Sequence, residues 1–325
     1  MNLEVYLTQK TGTREITKLL SSWTWSGDKG SIVRKLAASI LYQENSGLPV
    51  PEIGNPVVMA EGSQALFSGY VVQRRQSSEE HTLSFTCYDK GLYLNNNDGT
   101  YKFRDASAEE IARTVCRDRD IPVCALAPTN TWLSRKFSGV RLSKIISTAY
   151  SLASEQTGVR YAIRMTPEGL LVKVKEQSGS SLKLKPKSNL IRAATTESIV
   201  NMVNQVSIYD QQGVLIDQLS RQDAVNLYGV MERHLTDRGD GSAGEQAAAL
   251  LEDGGLEQTV AVDVLGDSSL ITGETVVVDE ENTGLRGVFW IDADAHTWKR
   301  GLYQCALTLN CRSVMTKTTA GSELK

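Results

Sequence analysis

Histidine is scarce in this chain, cysteine is odd in number, and no long apolar run occurs. Each shortage removes a class of function. The three histidines are His81, His234 and His296. No G-x-S-x-G, H-E-x-x-H or papain-like cysteine context accompanies them, so the usual marks of nucleophilic or zinc-dependent hydrolysis are missing. The five cysteines, Cys87, Cys116, Cys124, Cys305 and Cys311, form no C-x-x-C, which points to neither a disulfide framework nor a zinc site. Cys87 and Cys305 lie in alternating apolar runs, where a free thiol packs as a small core side chain, and this suits assembly in a reducing cytoplasm. A Walker A or dinucleotide fingerprint is also absent, so no cofactor is expected. No apolar stretch approaches the roughly 20 residues that cross a bilayer, so membrane insertion is not expected. The opening MNLEVYLTQK is not a basic-then-apolar leader, and export is expected only as part of a particle. The net charge of -3 lacks the basic excess of a dedicated nucleic-acid binder.

What is present fits an ordinary globular chain. Its 325 residues suggest two or three domains, and 41% hydrophobic with 22% charged residues is a common balance. The charge is segregated. From Trp132 to Arg192 twelve Lys and Arg stand against three Glu, and from Glu232 to Asp294 three Arg stand against fifteen Asp and Glu. Opposite charges on one chain suit copies that dock in a fixed orientation, or they are simply two solvated faces.

Short strands dominate the first hundred residues. Ile16 to Trp25, Arg34 to Tyr42, Pro56 to Ala60, Ala65 to Gln76 and His81 to Tyr88 are rich in β-branched, aromatic and alternating residues. Turn formers separate them at Ser26 to Gly30, Ala60 to Gln64 and Asn95 to Gly99. The pattern changes near Arg104. Ser107 and Glu110 have capping-box spacing, and Leu142, Ile145, Ile146, Ala149 and Leu152 form a helical stripe ended by Gly158. Arg160 to Met165 and Leu170 to Lys175 read as a hairpin around Pro167-Glu-Gly169, and Glu176 to Ser188 as a linker or edge strand. Strands then return, at Met202 to Tyr209, Val214 to Ile216, Thr259 to Leu265, Thr275 to Asp279, Gly287 to Asp292 and Tyr303 to Asn310. A flexible loop over Gly239 to Ala243 and a short helix interrupt them near 240–253. The expected fold is mainly β with an α+β insert. Two antiparallel barrel or sandwich domains, 1–103 and 189–325, flank a small α+β domain at 104–188.

Six strings carry possible chemistry. Asp292-Ala-Asp294-Ala-His296 puts three polar side chains on one strand face, but steps of about 7 Å do not converge on one ion without a bend. The plainer account is a strand end entering a turn, with Asp and His bonding local backbone groups. The carboxylate pairs Glu79-Glu80, Glu109-Glu110 and Asp279-Glu280-Glu281 fall in expected turns or on a helix surface, whereas a glycosidase needs two carboxylates across a cleft. Leu182 to Lys187 alternates apolar with basic residues, as a phosphate contact or, more simply, a protected sheet edge. In Gly284 to Asp292, Phe289 and Ile291 alternate with Val288 and Trp290, so both faces are apolar and the strand is either buried twice over or pressed on another subunit.

The segment Gly284 to Leu309 resembles the C-terminal signature of the XkdQ/YqbQ-like family of PBSX-type prophages, through Gly287, Phe289, Ile291, Asp294, His296, Trp298 and Gly301. Trp23 to Asp28 with Arg34 to Leu36, Asn204 to Asp210, Tyr228-Gly229 and Leu265-Gly-Asp267 follow the family in order. The resemblance implies a structural baseplate hub of a contractile tail, in a phage or a tailocin, and not an enzyme. It implies a homotrimer of two tube-like barrels per chain that adapts a sixfold tail tube to a threefold spike. The implied partners are tail tube, central spike, tape-measure and other baseplate or wedge proteins, with DNA only in transit. The particle would be assembled in the bacterial cytoplasm. Trp290 and Tyr303 join the signature residues as packing or interface candidates, and no catalytic, cofactor or metal residue is assigned. A peptidoglycan hydrolase acting during cell-wall penetration and a monomeric tail chaperone remain the alternatives.

Overall fold

The computed structural model describes residues 3–42, 47–77, 81–175, 182–237, 239, 241, 243–311 and 315–324. The chain begins with strands β1 (Leu3–Gln9) and β2 (Gly12–Glu15), then β3 (Leu20–Asp28), β4 (Lys35–Leu41), β5 (Pro56–Glu61), β6 (Gln64–Gln76) and β7 (Thr82–Asp89). The period of two seen in the sequence is the period of burial. In β7, Leu83, Phe85 and Cys87 are buried while Thr82, Ser84 and Thr86 are half-buried. Strand β3 runs through the SGD of the expected SGDKG turn, and helix α1 (Gly91–Asn96) takes the first part of the expected NNNDG turn.

The middle of the chain adds β8 (Asp98–Ala106), α2 (Ala108–Arg117), β9 (Val123–Leu126), β10 (Leu133–Arg141), α3 (Leu142–Thr157), β11 (Tyr161–Thr166) and β12 (Gly169–Val174). The capping box is formed: the Glu110 amide donates to Ser107 Oγ and the Ser107 amide to the Glu110 carboxylate. Helix α3 ends at Gly158, whose φ of 74° is the left-handed cap. The two helices pack Ile111, Val115, Ile145, Ile146 and Tyr150 with Phe137 and Met165 into one core.

Short β13 (Lys183–Leu184) and β14 (Leu190–Ser198) follow, then β15 (Gln205–Tyr209), β16 (Leu215–Ser220), α4 (Gln222–Tyr228), β17 (Glu232–Thr236), α5 (Ala243–Asp253), β18 (Glu257–Leu265), β19 (Thr275–Glu280), β20 (Leu285–Lys299), β21 (Leu302–Asn310) and β22 (Ser322–Glu323). Among the described residues strand β13 pairs only with β19, so Lys183–Leu184 of the Leu182 to Lys187 string lies at a sheet edge. Residues 176–181 of the expected linker, Glu79-Glu80, and Asp240 and Ser242 of the expected Gly239 to Ala243 loop lie outside the described residues.

The fold is mostly β and mainly antiparallel. One large sheet has the neighbour order β14-β18-β21-β20-β3-β4-β7-β6-β5-β1-β2, with β19 beside β20. Strands of the expected first and third parts are thus one sheet, joined where β20 pairs β3. Compactness divides the chain in two. One unit is Met1–Ala193 with Ala261–Lys325, and the other is Ala194–Val260. In the smaller unit β15 pairs antiparallel with β16 and parallel with β17, and Val203, Val206, Ile208, Ala247 and Leu251 form its core.

Candidate functional site

Strand β20 carries the distinctive string. Asp292, Asp294, His296 and Trp298 are all buried and Ala293, Ala295 and Thr297 half-buried, as a twofold period requires. The expected turn at Asp292 to His296 is therefore not there. These residues are mid-strand, and their partners lie far away in sequence. Register sets the neighbours: His296 is opposite Cys305 on β21 and Trp25 on β3, and Trp298 is opposite Tyr303 and Trp23.

Asp294 has both oxygens committed. The Arg34 guanidinium donates to Oδ1 at 3.0 Å and to Oδ2 at 2.5 Å, a bidentate pair. Thr272 adds its amide and hydroxyl to Oδ1 at 2.7 and 2.6 Å. His296 Nε2 lies 3.3 Å from Asp294 Oδ2 and 3.0 Å from the Leu270 carbonyl. Its Nδ1 meets the Tyr303 hydroxyl at 2.8 Å and Cys305 Sγ at 3.1 Å. Arg34 also stacks over Trp25, 4.1 Å from the ring centroid. Burial would raise the Asp294 pKa, but the Arg34 charge and the His296 and Arg34 hydrogen bonds hold it well below the usual carboxylate range. Burial would likewise lower His296, yet Asp294 and Cys305 raise it to about 9.

Two glycines make this packing possible. A Cβ on Gly27 would overlap the Arg34 guanidinium, and one on Gly266 would overlap the Tyr303 ring. Around the polar cluster Trp23 stacks on Trp298 at 5.4 Å and Trp298 on Tyr303 at 4.2 Å. A second pair lies along β20: Lys29 Nζ is 2.5 Å from Asp292 Oδ2, and the Lys29 amide donates to the Asp292 carbonyl. Glu274 accepts from Arg164 at 2.9 Å and Lys173 at 2.5 Å, which ties the β11–β12 hairpin to the approach to β19.

Cys305, His296 and Asp294 are connected as a nucleophilic triad would be, yet their exposures are 0%, 0% and 2%. A substrate cannot reach Sγ without parting β20 from its neighbours, and the Asp294 oxygens already serve Arg34 and Thr272. The cluster is chemically able to lock strands and is closed to substrates. Of the other signature residues, Phe289, Trp290 and Ile291 are buried. Gly287 sits within β20 at a φ of 128°, and Gly301 completes the β20–β21 turn at 76°. Arg34, Thr272, Gly27 and Gly266 escape a sequence search for chemistry. Gly27 and Arg34 fall in the Trp23 to Asp28 and Arg34 to Leu36 string of the family resemblance and Gly266 in Leu265-Gly-Asp267, while Thr272 lies in none of its strings.

A family model described as YQBQ-like matches residues 23–310. The chain belongs to the YQBQ-like family. It is 25% identical over 255 residues to the phage-like element PBSX protein XkdQ of Bacillus subtilis (strain 168), covering 76% of this chain and 78% of XkdQ. The 43 kDa tail protein of prophage MuSo2 from Shewanella oneidensis has the same fold, with a TM-score of 0.75 at 12% identity over 95% of this chain and 97% of that one. The E. coli c3393 protein, described as a type VI secretion component similar to T4 tail proteins gp27 and gp5, matches with a TM-score of 0.54 at 10% identity, over 94% of this chain and 76% of that one. This YQBQ-like chain therefore has the fold of phage tail proteins.

Proposed function

We propose that this YQBQ-like protein is a structural subunit of a contractile-tail baseplate, the hub between tail tube and spike in a phage or tailocin. The observation that carries the reading is the tail-protein fold spanning 95% of the chain. Family membership alongside PBSX XkdQ supports it, as does the likeness to a protein described as similar to gp27 and gp5. The sealed His296 cluster supports a structural over a hydrolytic role, since its nucleophile candidate is fully buried.

In this reading the sheet-built parts, 1–103 and 189–325, take equivalent places around an axis, so three copies fill six positions beneath a sixfold tube. The 104–188 part stands between them. The hub binds the last tube ring, holds the threefold spike, contacts other baseplate or wedge proteins, and leaves a channel for tape-measure protein and DNA. The copies assemble in the bacterial cytoplasm and remain in the particle.

The test is electron microscopy and mass measurement of the protein co-expressed with its tail tube and spike proteins. The expected particle holds three copies, with the two sheet-built parts related by about a sixth of a turn. A particle with any other copy number, or two parts that do not superpose on that rotation, overturns the proposal. So does peptidoglycan release by the purified protein that His296→Ala abolishes.

A further inference from the structure

We infer that the Ala194–Val260 unit docks, through an exposed apolar face, on the basic body of a second copy of this chain. The inference rests on the multi-copy reading above and deepens it by naming the joining surface.

Exposed apolar side chains concentrate in this unit. Among the described residues, eight of the sixteen exposed large hydrophobics belong to it, although it holds about a fifth of the chain. Helix α4 is the clearest case. Only Ala224 is buried, while Leu227 is 71% exposed. Leu227, Tyr228 and Leu256 line a groove of about 260 Å³ with Met202 and Ala224. An aromatic and two leucines around a concavity are the composition of an interface centre rather than of a solvated face.

Charge selects the occupant. Residues 194–260 hold no lysine, and three Arg against eleven Asp and Glu leave -8. The whole chain carries -3, so the remaining residues carry +5. Asp223 lies at the groove and exposed Glu257 follows Leu256, and among the described residues Arg221 is the one cation lining it. The larger unit offers the complement. Lys102 on β8 is directly opposite Lys136 on β10, both exposed, and Arg104 is exposed two residues along. Like charges opposed across a ladder are unfavourable alone and favourable beneath a carboxylate-bearing partner. Trp132, 65% exposed, immediately precedes β10 and supplies an aromatic anchor beside them. An acidic apolar face and a basic aromatic face on different parts of one chain make a head-to-tail contact, which closes into a ring when the rotation allows.

Two measurements test this on the full chain assembled with tube and spike. First, a photo-crosslinking residue replaces Leu227 in an equal mixture of light and heavy-nitrogen copies. Mixed-isotope crosslinks from position 227 to peptides of 1–193 or 261–325 are expected. Crosslinks confined to one isotope, or formed only with another tail protein, overturn the inference. Second, Leu227→Asp should raise the concentration needed for self-association at least about tenfold with thermal unfolding unchanged. Self-association equal to wild type overturns the inference and leaves the hub reading standing. A wild-type chain that stays monomeric beside tube and spike overturns the hub reading itself.

Discussion

Arg34 and Asp294 are separated by 260 positions and form a buried bidentate pair. A buried pair of this kind is weak evidence for net stability, but breaking it is costly because one charge is left unpaired. Asp294→Ala should destabilise the fold by about 3–5 kcal/mol, read as a lowered urea midpoint. An unchanged midpoint would mean that Arg34 finds another anion. The neighbouring imidazole sets a pH dependence. His296 is raised in the folded state from 6.5 to about 9. Its contribution is therefore complete below the unfolded value and is lost as pH rises through about 9. Asp294 is depressed, so its share is present above its unfolded value of 3.8 and is lost as pH falls below it. Urea midpoints should fall between pH 7 and about 10, and this alkaline fall should shrink in His296→Gln.

At the scale of elements, alternation and capping were legible where they are local. The β7 pattern of Leu83, Phe85 and Cys87, the Ser107–Glu110 capping box and the Gly158 stop all stand as their spacing implies. Asp292 to His296 misled because polar residues near an apolar run resemble a strand end. Strand β20 instead continues to Lys299, and its polar side chains find partners at Arg34 just before β4, on β21 and in the loop before β19. The turn that follows carries a small conflict. Arg300 and Gly301 have φ of 54° and 76°, a two-residue hairpin in which the first position favours Asn. Arg300→Asn should stabilise the protein by about 0.5–1 kcal/mol, seen as a higher melting temperature. A lower one would show that Arg300 has a role outside the turn.

For the whole molecule, segregated charge makes assembly a matter of electrostatic register. Surface attraction between a -8 unit and a +5 remainder is screened within about 8 Å at physiological salt. Self-association should therefore weaken as salt rises from about 50 mM to about 500 mM, and the Lys102→Glu/Lys136→Glu variant should lose most of that dependence. Sedimentation at several salt concentrations measures both. Self-association that is indifferent to salt would assign the contact to apolar burial alone.

Composition, twofold alternation and helical stripes settled the mainly β class and the places of helices α2 and α3, because each depends on residues a few places apart. The string from Gly287 to Gly301 likewise carried the family. The pairing of β3 with β20, the enclosure of His296 between Trp25 and Cys305, and the separation of Ala194–Val260 as a compact unit belonged to the tertiary structure. Strand partners hundreds of residues apart are chosen by which faces can be buried together, and no local periodicity records that choice.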